Sequence, residues 1–321
     1  MENKVVGVDI GGTNLRAALV DGSGNIMKRQ STASQASKGI NFVLKNLVNV
    51  LQEITEGEKI SRVGIGVPGI VYSTRGIITR APNLYNVDNY PMRDILTEEL
   101  GSGISVFVEN DANCAALGEW WIGEGKDVNS LVLLAIGTGL GGGIVLDNKL
   151  WCGVDGMAGE VGHTTIYPDG PKCKCGNIGC LETYASAVGI RRMIKEGLAD
   201  TNLKTLVREK VKTASKERVP EIIREAAIQG DKFALWIWEG FGRALGIGIA
   251  NLVNLLNMEM IVISGGLSNS WEMFMDIAIG EAKKRAWSAP MERVKIRRTV
   301  LGDDAGLLGA AYLALEGRGA V

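Results

Sequence analysis

The chain opens on a short apolar run, residues 4–10 (KVVGVDI), that carries the carboxylate Asp9 one residue before its end and predicts a buried strand. Gly11-Gly12-Thr13 turns it, and residues 15–20 (LRAALV) return as a second strand. A further turn at Asp21-Gly22-Ser23-Gly24-Asn25 makes the opening a β-meander. The period then lengthens. Ile40, Val43, Leu44, Leu47, Val48 and Leu51 share one helical face, which predicts a helix over 39–56. A strand at 62–67 stops at Pro68-Gly69, and a helix at 92–100 precedes a strand at 104–108.

The opening pattern recurs. Residues 131–136 (LVLLAI) predict a strand, a glycine run from Gly137 to Gly143 a turn, and 144–146 a returning strand. Strand, Gly-Thr-Gly turn and strand therefore occur twice, which predicts two domains of related architecture with a ligand between them. The rest reads as helices at 185–197, 202–210, 215–229, 231–257 and 271–285, with strands at 260–263 and 295–301. The predicted division is a smaller α/β domain at 1–115 and a larger one at 116–302. A last helix, within 303–321, is expected to pack back on the first.

Composition narrows the function classes. Of 321 residues, 46% are hydrophobic and 22% charged, as in an ordinary globular chain. Lys+Arg is 35 and Asp+Glu 36, so no basic field attracts nucleic acid. Residues 1–4 show no signal-peptide pattern, and the apolar stretch at 244–256 is too short for a membrane span. The expectation is a cytoplasmic protein without a membrane or nucleic-acid partner. Glycine is the outlier at 43 residues, almost twice the roughly 7% that is usual.

Three of the glycine clusters follow apolar strands: Asp9-Ile10-Gly11-Gly12-Thr13, Gly137-Thr138-Gly139 with the glycines after it, and Ser264-Gly265-Gly266. Such turns let backbone N–H groups meet phosphate oxygens, and Asp9 at a strand end can hold Mg²⁺ directly or through water. Plain hairpin turns are the alternative. Gly137-x-Gly139-x-x-Gly142 matches the dinucleotide fingerprint in letters only, because strand-like residues follow where that motif needs a helix. The Gly125-Lys126 pair is followed by Asp127, so there is no Walker A loop.

His163, Cys173, Cys175 and Cys180 form His-x₉-Cys-x-Cys-x₄-Cys, a donor set of structural zinc type. Free thiols beside a core histidine are the alternative. His163 is the only histidine, so a triad with a free histidine base is not expected. Glu160 and Glu182 flank the cluster. Cys114 and Cys152 stand apart and read as buried thiols. Glu109-Asn110-Asp111-Ala112-Asn113 closes a strand. Its Asn-Asp pair reads equally as a hydroxyl-binding unit with an aspartate base or as an Asx turn capping the next helix. Asn83 lies in an irregular segment suited to a polar ligand.

Together these residues resemble the ROK family of sugar kinases and related repressors. The likeness runs over almost the whole chain. Asp9-Ile10-Gly11-Gly12-Thr13 and Gly137-Thr138-Gly139 resemble its two phosphate motifs. The string from Gly153 to Glu160-x-Gly162-His163, with Cys173-x-Cys175-Gly-x-x-Gly-Cys180-x-Glu182, resembles its signature and zinc knuckle. The resemblance implies an α/β fold of actin-like ATPase (ribonuclease H-like) type, two related domains around a cleft, with a zinc knuckle at 163–180. It implies ATP with Mg²⁺ as donor, structural Zn²⁺, and Asp111 as general base on the 6-hydroxyl of a hexose, glucose first. Gly69, Asn83, Asn110, Glu160, His163 and Glu182 would meet the sugar, and Gly265 and Gly266 the adenosine. Homodimers or homotetramers are implied as well. Tyr85 departs from the aromatic arrangement of many relatives, which bears on sugar choice. Family repressors carry a helix-turn-helix before the first phosphate motif; here that motif starts within ten residues of Met1, so a repressor is not expected. An N-acetylglucosamine or N-acetylmannosamine kinase and a non-catalytic sugar sensor are the rival readings, and ADP or polyphosphate is a possible donor.

Overall fold

A computed structural model describes residues 4–81, 84, 87–101 and 103–317. The chain divides into two compact units. One comprises Met1–Leu133, Gly142–Gly159 and Thr299–Val321, the other Leu134–Gly141 and Glu160–Arg298.

The meander forms as expected: β1 (Val5–Ile10), β2 (Asn14–Val20) and β3 (Ile26–Ala33) are antiparallel neighbours. α1 (Ile40–Ile54) follows, then β4 (Arg62–Val67) and three short strands, β5 (Ile70–Tyr72), β6 (Ile77–Arg80) and β7 (Asp88–Tyr90), which make a sheet of their own. After α2 (Met92–Leu100), β8 (Ser105–Asn110) runs directly into α3 (Asp111–Ile122). The first sheet has the order β3-β2-β1-β4-β8, with β1, β4 and β8 parallel.

Next come β9 (Leu131–Ile136), β10 (Leu140–Leu146) and β11 (Lys149–Leu150). The helices α4 (Ala187–Gly197), α5 (Val207–Thr213), α6 (Val219–Ile228) and α7 (Lys232–Leu256) precede β12 (Met260–Ser264). α8 (Trp271–Lys283), α9 (Ser288–Arg293), β13 (Lys295–Arg298) and α10 (Asp304–Glu316) complete the chain. The second sheet has the order β11-β10-β9-β12-β13. Three consecutive strands, then two added beside the first of them, is the same order in both sheets, as the repeated strand-turn-strand pattern predicts.

Three expectations shift. The helix expected at 202–210 begins only at Val207 and runs to Thr213. The glycine run is not all turn, because Leu140–Gly143 already belongs to β10. Packing explains this: a Cβ on Gly143 would stand 2.6 Å from the Ala112 carbonyl of α3, so the strand needs glycine where a helix crosses it. The last strand stops at Arg298, three residues before the predicted end.

The first sheet buries both faces. Val6, Val8, Ile10, Ile65, Leu47 and Leu51 belong to one core cluster, and Val5, Ala18, Val20, Leu307, Leu308 and Ala311 to another. The second cluster depends on α10, which lies against strand positions that have no side chain. A Cβ on Gly64 would fall 1.8 Å from the Ala310 carbonyl, and one on Gly7 2.2 Å from that of Leu307. Glycine at 64 therefore seats α10 by close backbone approach. Gly64→Ala is expected to destabilise the fold by about 1–3 kcal/mol through overpacking, read as a lower urea midpoint at constant m-value. An unchanged midpoint would show that α10 can lift without cost. In the other unit α7 packs on α8, with Trp238, Phe241 and Phe274 fully buried. Among the described residues no helix is long and apolar enough to cross a membrane.

Candidate active site and metal centre

In the first unit the sites grow from strand ends. Asp9 closes β1 directly opposite Arg16 of β2, so both side chains lie on one face of the hairpin, and the Arg16 guanidinium hydrogen-bonds the Asp9 carboxylate. The turn above them is tight: Gly11 N–H donates to the Asn14 carbonyl at 2.8 Å. Its tip, Gly12 and Thr13, is exposed. The N-terminal turn of α10 is close by, since a Cβ on Gly306 would come 3.5 Å from the Asp9 carboxyl carbon. Arg16 was not singled out from the sequence; the β1–β2 register of the structure pairs it with Asp9.

Of the two readings of the Asn-Asp pair, the structure shows the helix cap. Asn110 is the N-cap of α3, and its Oδ1 accepts from the N–H groups of Ala112 and Asn113 at 2.8 and 3.1 Å. Its Nδ2 donates to the Gly69 carbonyl at 2.8 Å. Gly69 has φ 110°, and a Cβ there would collide with the Arg80 carbonyl at 2.3 Å, so glycine is required. Asp111 is the first residue of α3 and half-buried, and its Oδ1 accepts from Ala112 N–H at 2.9 Å. A negative charge at that place is favoured by the helix N-terminus. The structure thus joins Gly69, Asn110 and Asp111 in one hydrogen-bonded group. Asn83 and Tyr85 lie outside the described residues.

Behind Asp111 lies a group missed in the sequence. Glu109 is fully buried, and burial pushes its carboxyl pKa up. Its Oε1 accepts from the Asn110 N–H at 2.8 Å and from Asn113 Nδ2 at 3.0 Å, and Cys152 Sγ lies 3.6 Å from Oε2. Cys152 is a buried thiol, as expected, and burial beside this carboxylate raises its pKa as well.

The other unit holds the second and third glycine turns. Gly137 N–H donates to the Gly139 carbonyl at 2.9 Å, while the Gly137 and Thr138 carbonyls accept from Ala187 and Val188 at the start of α4. Gly265 ends β12 with φ 82° and passes close to the Ile136 carbonyl. One distinction among the glycines bears on function. At Gly12, Gly137 and Gly266 a Cβ would meet, among the described residues, nothing but its chain neighbours within 4 Å, so packing against those residues does not require glycine there. At Gly139 it would stand 2.2 Å from Glu182 Oε2. Glu182 Oε2 also accepts the Leu140 N–H at 3.0 Å, so this carboxylate braces the second turn.

Glu182 also borders the cysteine cluster, with its Oε1 3.9 Å from Cys173 Sγ. His163, Cys173, Cys175 and Cys180 each bring one donor atom, and all four lie within 4.8 Å of one another. Cys175 and Cys180 sulfurs are 3.7 Å apart, as are Cys173 Sγ and His163 Nδ1. Two thiolates each ~2.3 Å from one tetrahedral zinc are ~3.8 Å apart, so the set fits that ion. The knuckle is shaped by its backbone: Cys173 N–H donates to the Asn177 carbonyl, and Gly176 takes φ 99°. Asn177 Nδ2 donates to Thr165 and to the His163 carbonyl. With Nδ1 toward the sulfurs, the His163 ring turns Nε2 outward, 3.9 Å from Glu160 Oε2. Glu160, His163 and Glu182 are therefore gathered around the cluster.

The ROK family profile matches residues 5–317. The chain belongs to the ROK family. This ROK protein is 35% identical over 313 residues to a glucokinase of Thermotoga maritima, covering 98% of both chains. It is 33% identical to a xylose repressor of Caldicellulosiruptor bescii, covering 97% of this chain and 78% of that one. In three dimensions the ROK protein superposes with TM-score 0.81 on a ROK family glucokinase from Streptomyces griseus solved with glucose and AMPPNP. That structure is 32% identical and is matched over 100% of its length and 98% of this chain. The mixed sheets and paired strand order accord with the actin-like ATPase fold that the resemblance implies.

Proposed function

We propose that this protein is an ATP-dependent hexose kinase that transfers the γ-phosphoryl group of ATP to the 6-hydroxyl of glucose. The observation that carries the reading is the hydrogen-bonded group Gly69–Asn110–Asp111, in which a helix N-cap sets a carboxylate at a strand end and offers amide groups beside it. It is supported by full-length similarity to glucokinases.

In this reading the Asp111 carboxylate takes the proton of the sugar hydroxyl as that oxygen attacks the γ-phosphorus, and ADP leaves. Asn110, the Gly69 backbone and Asn83 bind sugar hydroxyls, together with Glu160, His163 Nε2 and Glu182. The turns at Gly11-Gly12-Thr13 and Gly137-Thr138-Gly139 present N–H groups to the phosphates, and Gly265-Gly266 meets the adenosine. Asp9 would hold Mg²⁺ directly or through water, and the ion would supply charge neutralisation on the phosphates. Zn²⁺ on His163, Cys173, Cys175 and Cys180 supplies rigidity to His163 and Glu182 and no chemistry.

The glycines without packing contacts test the phosphate assignment apart from the fold. Gly12→Ala is expected to leave the thermal midpoint unchanged and to raise KM for ATP about tenfold or more, because its methyl would occupy ligand space. A shifted midpoint with unaltered KM would make the glycine structural.

The reaction itself is tested by ATP- and Mg²⁺-dependent phosphorylation across glucose, mannose, fructose, N-acetylglucosamine and N-acetylmannosamine, with zinc-replete protein. Turnover of glucose supports the reading. Preference for an N-acetylhexosamine corrects the substrate. Sugar binding without transfer from ATP, ADP or polyphosphate indicates a sensor, as similarity to a xylose repressor allows.

A further inference from the structure

Glu109 is a buried acid that the mechanism above does not use. It sits at 0% exposure near the end of β8, and among the described residues no lysine, arginine or histidine hydrogen-bonds to it. A carboxylate in such a place costs stability unless the donors around it compensate. On packing grounds alone an apolar residue would serve there better. Its partners show why an acceptor is useful. Oε1 takes the N–H of Asn110 and the side-chain amide of Asn113, the residues one before and two after Asp111. Cys152, just beyond β11, faces its other oxygen at 3.6 Å. Asn110 is held a second time through its side chain by Gly69 and by the first turn of α3. The backbone that carries Asp111 is thus fixed from behind by Glu109 and from the side by Asn110.

We propose that Glu109 is a positioning residue for phosphoryl transfer, a buried acceptor that holds the strand-to-helix junction so that the Asp111 carboxylate meets the sugar hydroxyl. It acts through Asn110 and Asn113 and touches no substrate. The inference rests on the kinase reading of Asp111. It is distinct from a stabilising role, because both Oε1 hydrogen bonds converge on the junction rather than on distant core.

The test compares Glu109→Leu and Glu109→Gln with wild type in glucose phosphorylation. Leucine removes both bonds to the junction. A base misplaced by about 1 Å is expected to lower kcat about 100-fold, with KM for glucose and for ATP within about threefold of wild type. Glutamine keeps an Oε1 acceptor and is expected to recover about tenfold or more of that loss. kcat is taken per glucose-binding site measured by titration, so that a merely unstable variant with fewer folded molecules shows normal kcat and overturns the proposal. Equal losses in both variants would also overturn it, because the charge and not the hydrogen bond would then matter. If Glu109→Leu does not fold, Asn113→Leu removes the helix-side bond alone, and an unchanged kcat there counts against the proposal. Absence of sugar phosphorylation by wild type would instead sink the kinase reading.

Discussion

Asp111→Asn is expected to bind glucose with near wild-type affinity and to lose about a thousandfold in kcat, within the 10²–10⁴ that a general base contributes. The substitution is isosteric and sits where the helix begins. Its side-chain oxygen can still accept the Ala112 N–H that Asp111 Oδ1 accepts now, and Asn110 continues to cap α3. The fold and the neighbouring hydroxyl ligands are therefore retained. What disappears is the carboxylate that the proposed mechanism assigns as proton acceptor. An amide has no basic lone pair near neutral pH, so O6 would have to attack as a neutral alcohol. The measurement is kcat and KM for glucose at saturating ATP, with glucose affinity from isothermal titration. A variant that turned over at even a tenth of the normal rate would mean that water or another side chain takes the proton, and the Asn-Asp pair would then be a helix cap and hydroxyl ligand only.

The second large effect is expected from Cys180→Ala. Cys180 is fully buried and is the residue immediately before the short 3₁₀ helix that carries Glu182. It also bridges to Thr165 through the backbone. Losing this thiolate leaves three donors where a structural zinc site has four. Purified wild-type protein is expected to contain about one zinc per chain, and the variant little or none. The consequences should reach both ligands. His163 would no longer be fixed through Nδ1, so its Nε2 and the nearby Glu160 would lose their orientation, and KM for glucose should rise about 10- to 100-fold. Glu182 would lose its support beside Cys173, and it braces, at Leu140, the glycine turn proposed to hold phosphate. KM for ATP should therefore rise too, by a smaller factor. Metal analysis with kinetics for both substrates reads all of this. Zinc lost with unchanged glucose KM would place the knuckle away from sugar recognition.

Chemistry that depends on residues close in sequence was legible. The strand-turn-strand repeat gave the paired sheets, because period and turn residues report local geometry directly. The clustering of the four donors was readable from residue type and spacing, since His163 and the three cysteines lie within eighteen residues and fold on themselves. Asn110 and Asp111 were readable as a cap or a catalytic pair, and the N-cap geometry shows that the first use does not exclude the second.

Tertiary structure decided what depends on distant partners. The sequence presents its 43 glycines alike. Only in the fold does Gly64 prove to seat a helix 246 residues further on, at Ala310, while a Cβ on Gly12, Gly137 or Gly266 would meet no atom beyond its chain neighbours within 4 Å among the described residues. Arg16 beside Asp9 needed the hairpin register, and Glu182 under the second turn needed the return of the chain after the knuckle. Glu109 is the clearest case. In sequence it is one more acid at a strand end, and its burial against Asn113 and Cys152 follows only when α3 and the segment after β11 close over it. The physical reason is common to all of these. Residue type and spacing specify local backbone and available chemistry, but which side chain loses water, and against what, is set by segments that meet only on folding.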